Sequence, residues 1–198
     1  MNKAEIQAYF DRQAPEWDAR MVRCTEKINA ILAAAAVRPG ARVLDVACGT
    51  GVLFEDYLAH GVAEVVGVDL SPEMVRIARR KYPQSHISVL CADVEEISFA
   101  QPFDCVVVYN AFPHFTHPAQ LIAHLAGQLA PGGSLCIAHG MSRQALLRHH
   151  EGRPSRVSQP LPELQQVTAL LQPYFKVTTM VSDEEKFIAA GVRQTGSL

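Results

Sequence analysis

The residues best able to do chemistry lie in Val43-Leu44-Asp45-Val46-Ala47-Cys48-Gly49-Thr50-Gly51, an apolar run that carries an acid and passes straight into a glycine-rich turn. Without Cβ atoms, Gly49 and Gly51 let the backbone take positive φ and approach a ligand closely. About twenty residues on, Glu64-Val65-Val66-Gly67-Val68 ends in Asp69, whose carboxylate can accept both hydroxyls of a ribose. A third run, His86-Ile87-Ser88-Val89-Leu90-Cys91-Ala92, leads to Asp93, placed to accept from an adenine amino group. A fourth, Phe103 to Tyr109, ends in Asn110. Asp45, Asp69, Asp93 and Asn110 thus stand at the carboxyl ends of four expected strands, the edge at which an open α/β sheet binds ligands.

Two details discriminate between ligands. A dinucleotide fingerprint would carry glycine three residues after Gly51, where this chain has Phe54. A carboxylate at Asp45, beside the loop, would repel a pyrophosphate but favour an ammonium or sulfonium centre. S-adenosylmethionine is such a ligand, and a dinucleotide oxidoreductase is disfavoured.

Imidazoles form a second group. His139 is expected to end a fifth strand on the same edge, followed by Arg143, His149 and His150, with Arg143 and His150 seven apart on one helical face. His114, after the fourth strand, brings another ring toward that edge, which makes this a candidate substrate site. His114 or His139 can serve as a general base that takes a proton from an oxygen, nitrogen or thiol nucleophile. Alternatively His114, His139 and His150 can bind a divalent metal, although their spacing matches no strong metal motif. They can equally be surface or packing residues. Arg148, Arg153 and Arg156 flank a polar run that reads as a solvated loop or as a lid offering guanidinium groups to an anionic substrate.

The elements needed to hold these residues are legible as an alternation. From Val43 on, strands and helices alternate, which predicts an α/β fold with a parallel sheet and right-handed crossovers. Ser71-Pro72-Glu73 is a helix start with serine at the cap. A helix over about 117–129 should end at Pro131-Gly132-Gly133, with a strand from Ser134 to His139. Tyr174 to Val181 and Lys186 to Val192 suit a terminal antiparallel hairpin. Ahead of the sheet, a helical segment holds Ile6, Tyr9, Phe10 and Trp17, and a second helix spans about Thr25 to Val37 before Arg38-Pro39-Gly40.

The chain has 198 residues, 48% of them hydrophobic, enough for one domain with a sizeable core. Within it, residues 1–38 read as a helical cap, 39–140 as the ligand-binding core, 141–172 as a substrate-side insertion and 173–198 as the hairpin. A net charge of −2 gives no electrostatic footprint for nucleic acid or an anionic membrane, so a small-molecule partner is expected. Five cysteines scattered singly, with no CxxC pair, point to a reduced, cytoplasmic compartment. No apolar leader or spanning segment is visible.

Taken together, Val43 to Gly51, Val68-Asp69-Leu70-Ser71-Pro72-Glu73-Met74, Cys91-Ala92-Asp93, Phe103 to Asn110 and Leu129-Ala130-Pro131-Gly132-Gly133-Ser134-Leu135 resemble the class I S-adenosylmethionine-dependent methyltransferases. The likeness is greatest to the small-molecule branch that includes ubiquinone and menaquinone methyltransferases. It implies a Rossmann-like three-layer sandwich, with a mostly parallel seven-stranded sheet and a terminal antiparallel hairpin. It also implies S-adenosyl-L-methionine as cofactor, with S-adenosyl-L-homocysteine as product. By resemblance, Asp45, Ala47, Gly49, Gly51, Asp69, Leu70, Asp93, Val94 and Asn110 form the cofactor site. Gly49 and Gly51 would pack against the methionine and ribose portions, Asp69 would hold the ribose, Asp93 with the Val94 amide would read adenine, and the Asn110 carbonyl would help hold the methionyl ammonium. Ala47 stands where many members have glycine. Tyr9-Phe10-Asp11-Arg12-Gln13-Ala14-Pro15-Glu16-Trp17-Asp18 resembles the segment that folds over the cofactor in such enzymes, making Tyr9 and Trp17 substrate-side candidates. A non-catalytic cofactor- or metal-binding regulatory protein on the same fold is the competing reading.

Overall fold

The computed structural model describes residues 2–150 and 157–194, the side chains of residues 149 and 150 excepted. Helix α1 (Lys3–Gln13) runs through a 3-10 turn (Ala14–Glu16) into the short helix α2 (Trp17–Arg20), and α3 (Thr25–Ala34) follows. Five strands come next, β1 (Arg42–Val46), β2 (Glu64–Asp69), β3 (Ile87–Cys91), β4 (Phe103–Tyr109) and β5 (Leu129–His139). Helix α4 (Phe54–Ala59) connects β1 to β2, α5 (Pro72–Lys81) connects β2 to β3, and α6 (Pro118–Gln128) connects β4 to β5. Helices α7 (Arg143–His150) and α8 (Leu164–Leu171) lead to β6 (Phe175–Ser182) and β7 (Phe187–Arg193).

The strands form one seven-stranded sheet in the order β3-β2-β1-β4-β5-β7-β6. The first five are parallel, and β7 inserts antiparallel between β5 and β6. Side-chain alternation along β1 shows how the layers form. Leu44 and Val46 point into a core completed by Leu121, Leu125, Val167 and Leu171 of α6 and α8. Val43 points the other way, toward Ile28, Leu32, Phe54 and Tyr57 of α3 and α4. Strands covered on both faces read as continuous apolar runs, which is why β4 shows no polar–apolar alternation and Cys105 to Val108 are all fully buried.

The expected α/β sandwich with a terminal hairpin is the observed fold, and several element boundaries differ from expectation. Helix α3 ends at Ala34 rather than Val37, because Ala36 enters the left-handed region (φ 53) and the Val37 N–H turns back to the Leu32 carbonyl at 3.0 Å. Strand β5 begins at Leu129, which pairs with Phe103. A register shift then absorbs Pro131-Gly132-Gly133, with Gly132 at φ 76. The hairpin strands each start and end one residue later than expected. The Ser71 cap forms as read, its hydroxyl accepting from the Met74 N–H at 3.2 Å.

Candidate functional site

The site is assembled where the loops after β1, β2 and β3 meet the amino-terminal segment. Asp69, the last residue of β2, joins two of these loops: one carboxylate oxygen accepts the Gly49 N–H and the other the Ser71 N–H, both at 2.8 Å. Burial pushes the Asp69 carboxyl up, and these two N–H donors oppose the shift. Each oxygen retains a second acceptor position, so the pair can still receive two hydroxyls. The loop needs left-handed backbone at three residues, Ala47 (φ 55), Gly49 (φ 56) and Gly51 (φ 80). At Gly49 a Cβ would meet only the Trp17 indole nitrogen, 3.8 Å away, so this glycine leaves space beneath the indole. At Gly51 it would collide with Phe54 at 2.7 Å and Tyr82 at 2.9 Å, so this glycine serves packing.

Asp45 differs from the sequence expectation of a charge beside the ligand. It lies one residue inside β1, on the face of Val43, with 2% of its surface exposed. Burial and then the nearby Asp69 charge push its carboxyl well above the usual carboxylate range. Tyr57 is near enough to ease that charge, but its buried hydroxyl makes no hydrogen bond of regular geometry among the described residues, so the two form a near contact. The discrimination against pyrophosphate therefore cannot rest on an exposed Asp45 charge.

Asp93 lies two residues beyond β3, half-buried, with one carboxylate oxygen accepting the Glu95 N–H at 3.0 Å. The other pairs with the Lys3 ammonium, which also reaches Glu95 at 3.1 Å. Leu70 is half-buried between Asp69 and Ser71, and the Val94 side chain is in the core. Asn110 takes the left-handed conformation (φ 55) directly after β4, and its side-chain oxygen accepts the Gly140 N–H at 2.9 Å, tying the ends of β4 and β5.

The amino-terminal segment covers this edge with acids as well as aromatics. Asp11 accepts from the Ser71 hydroxyl at 2.5 Å and from the Glu73 N–H at 3.2 Å. Asp18 accepts from the buried Thr50 hydroxyl at 2.5 Å and pairs with Lys81 at 2.7 Å. The segment's rings form a chain of edge contacts, Tyr9 to Phe10 at 5.2 Å, Phe10 to Trp17 at 5.7 Å and Phe10 to His114 at 5.0 Å. Tyr9 and Trp17 were read from the sequence. Lys3, Asp11, Asp18, Thr50 and Lys81 were not, although Phe10 and Trp17, like Asp11 and Asp18, stand seven apart, the spacing of one helical face.

The histidines separate. His114 sits half-buried in the 3-10 turn Phe112–His114, its Nδ1 2.7 Å from the Val157 carbonyl and 3.0 Å from the Ser158 hydroxyl. His139, expected at the open edge, is buried at 2% exposure against Phe187, with ring centroids 6.3 Å apart. The cause is β7, which lays Phe187 directly opposite it in the ladder. Arg143 turns its guanidinium to the Leu161 carbonyl at 2.9 Å and toward Glu163 at 4.0 Å. It lines an open groove of about 520 Å³ with Gln159 to Pro162, Gln166 and Leu170. The side chains of His149 and His150, and all of Arg153 and Arg156, lie outside the described residues. Among the described residues no three acids, histidines or cysteines cluster as metal ligands, and no helix is long and apolar enough to cross a membrane.

A seven-stranded sheet in this order, with a glycine loop after β1 and an acid ending β2, defines a Rossmann-like methyltransferase fold. The family model described as "Methyltransferase domain" matches residues 43–133, and the chain belongs to the class I S-adenosylmethionine-dependent methyltransferases. It is 39% identical over 111 residues to a ubiquinone biosynthesis O-methyltransferase of Xanthomonas campestris pv. campestris strain B100, covering 54% of this chain and 46% of that protein. It is 31% identical over 140 residues to a demethylmenaquinone methyltransferase of Renibacterium salmoninarum, covering 68% and 58%. The chain thus spans about half the length of the curated relatives it matches. Among solved structures, the N-methyltransferase NodS of Bradyrhizobium japonicum WM9 with S-adenosyl-L-homocysteine superposes with TM-score 0.74 at 18% identity, covering 96% of this chain and 99% of that one. The magnesium protoporphyrin IX methyltransferase of Synechocystis PCC 6803, also with S-adenosyl-L-homocysteine, gives 0.74 at 19%, covering 98% and 100%.

Proposed function

We propose that the protein transfers the methyl group of S-adenosylmethionine to a small-molecule acceptor, with Asp69, Asp93, Gly49 and the Asn110 backbone holding the cofactor. The observation that carries this reading is the Asp69 carboxylate, which binds the N–H groups of both the β1 and β2 loops while keeping acceptor capacity on each oxygen. A ribose fits such a carboxylate.

When bound, the cofactor supplies an electrophilic sulfonium methyl. The chain's own task is then mainly positioning, which can contribute about 7–11 kcal/mol to the barrier reduction. Phe10 and Trp17 supply an apolar wall that orients the acceptor and keeps water out. His114 is the base in this reading. Its Nδ1 faces the Val157 carbonyl, which accepts only, so the ring proton sits on Nδ1 and Nε2 is the basic nitrogen of the ring. Asp69, Asp93 and Gly49 would hold the cofactor, whose sulfur would keep the bond pair given up as the methyl leaves, and His114 would take the acceptor's proton. His139, packed on Phe187, serves the core in this reading. An acceptor that already offers a carbanion or a free amine would need no base, and His114 would then only position it.

The test is transfer of labelled methyl from S-adenosylmethionine into an extract separated into small and large molecules. Label in the small-molecule fraction supports the proposal and identifies the acceptor by mass. Label only in macromolecules overturns the substrate class. With the acceptor in hand, His114→Gln should lower kcat about 10²–10⁴-fold with cofactor affinity retained.

A further inference from the structure

We propose that Lys3 is a cofactor gate: its ammonium draws on the Asp93 carboxylate before the cofactor binds and weakens that carboxylate as an acceptor for the adenine end. The inference rests on the reading of Asp93 as the adenine contact. One Asp93 oxygen is engaged by the Glu95 N–H, an interaction within the loop that does not depend on the cap. The other is engaged by Lys3, the first residue of α1, and Glu95 shares the same ammonium. An adenine amino group approaching Asp93 therefore meets an oxygen already accepting from Lys3, and although a second acceptor position stays open there, the two donors share its charge.

The gate is placed where cap movement would free the whole edge. The cap makes polar attachments to each of the three loops, through Asp18 to Thr50 after β1, Asp11 to Ser71 after β2, and Lys3 to Asp93 after β3. Only the third uses a group that the cofactor itself needs. It is also reachable by ions, since the Lys3 side chain is 46% exposed. Hydrogen bonding to Asp93 raises the Lys3 ammonium further, so it stays charged throughout the neutral range.

An exposed ion pair of this kind shifts an equilibrium by about two- to fivefold. Its signature is unusual: salt screens the Lys3–Asp93 attraction, so added salt should tighten cofactor binding instead of weakening it. The experiment is calorimetric titration of S-adenosyl-L-homocysteine, whose own charges balance, into the wild type, Lys3→Met, Lys3→Arg and Glu95→Gln at low and high salt. The expected result is binding about two- to fivefold tighter for Lys3→Met at low salt. Wild type and Lys3→Arg should approach that value at high salt, and Glu95→Gln, which loosens Lys3 but keeps Asp93, should lie between. Equal or weaker binding by Lys3→Met overturns the gate while leaving the cofactor site standing. Absence of binding by every variant overturns the cofactor site and the gate together.

Discussion

Replacing the two glycines of the β1 loop one at a time separates backbone geometry from packing. Gly49 and Gly51 both have positive φ, so an alanine at either position costs about 1–2 kcal/mol of left-handed strain. About 0.4–1 kcal/mol of that is offset by the lower entropy of the unfolded alanine chain. At Gly49 the new methyl meets only the Trp17 nitrogen at an ordinary 3.8 Å, so the net loss should be about 1 kcal/mol or less. At Gly51 it meets the Phe54 ring at 2.7 Å and the Tyr82 ring at 2.9 Å. Phe54 has no room to withdraw, being fully buried and set against Tyr82 with centroids 5.2 Å apart. Overpacking adds about 1–3 kcal/mol, which puts Gly51→Ala near 2–4 kcal/mol. Urea unfolding with unchanged m-values should therefore show Gly51→Ala less stable than Gly49→Ala by about 1–3 kcal/mol. Cofactor affinity should reverse the order, because the Gly49 methyl enters the space beneath Trp17. Equal stability losses within about 0.5 kcal/mol would refute the packing assignment, since errors of that size are the limit of such comparisons.

Three other outcomes are expected. Ala47→Gly relieves left-handed strain of about 1–2 kcal/mol but loses part of a packed methyl and raises unfolded-chain entropy, so thermal unfolding should move by no more than about 4 °C. Burial raises the Asp45 carboxyl in the folded protein while the unfolded chain ionises near pH 4, so above that point the folded state binds more protons than the unfolded chain and stability falls as pH rises; Asp45→Asn should flatten this slope in urea titrations run from pH 4 upward. Asp18→Asn weakens the hold on Thr50 and Lys81, and because Trp17 is the sole tryptophan, its emission should shift to the red as the cap loosens, a change absent if the cap is held by apolar contacts alone.

The sheet was legible because its strands are buried on both faces, so that Val65, Val66 and Val106 to Val108 stand as unbroken apolar runs between helical stretches. The acids at strand ends were legible for the same reason, as polar punctuation after such runs. What escaped was set by tertiary contact. Nothing local distinguishes Ala36 as a helix end, since the residue there lacks the glycine that usually marks a left-handed cap. His139 reads as an edge residue until β7 brings Phe187 against it from far along the chain. Asp45 looks like a charge beside a loop, and only the packing of α4 over β1 shows that it is enclosed. The polar attachments of the cap join positions far apart in sequence, Asp11 and Ser71 being 60 residues apart, and no short-range pattern announces them.

The placement of β7 between β5 and β6 has a consequence for synthesis. A ribosome delivers β5 long before β7, and β6 before the strand it pairs with. Until Phe187–Arg193 emerges, the hydrogen-bonding edge of β5 stays open and β6 has no neighbour in the sheet. The alternating first half can assemble as it leaves the tunnel, whereas the last third must wait and then thread its final strand into a gap already flanked. The nascent chain thus carries a bare β-edge during translation, the form in which strands associate with the wrong partner. Slower elongation just before β7 would prolong that exposure, making the yield of folded protein sensitive to synonymous codon choice in a segment remote from the cofactor.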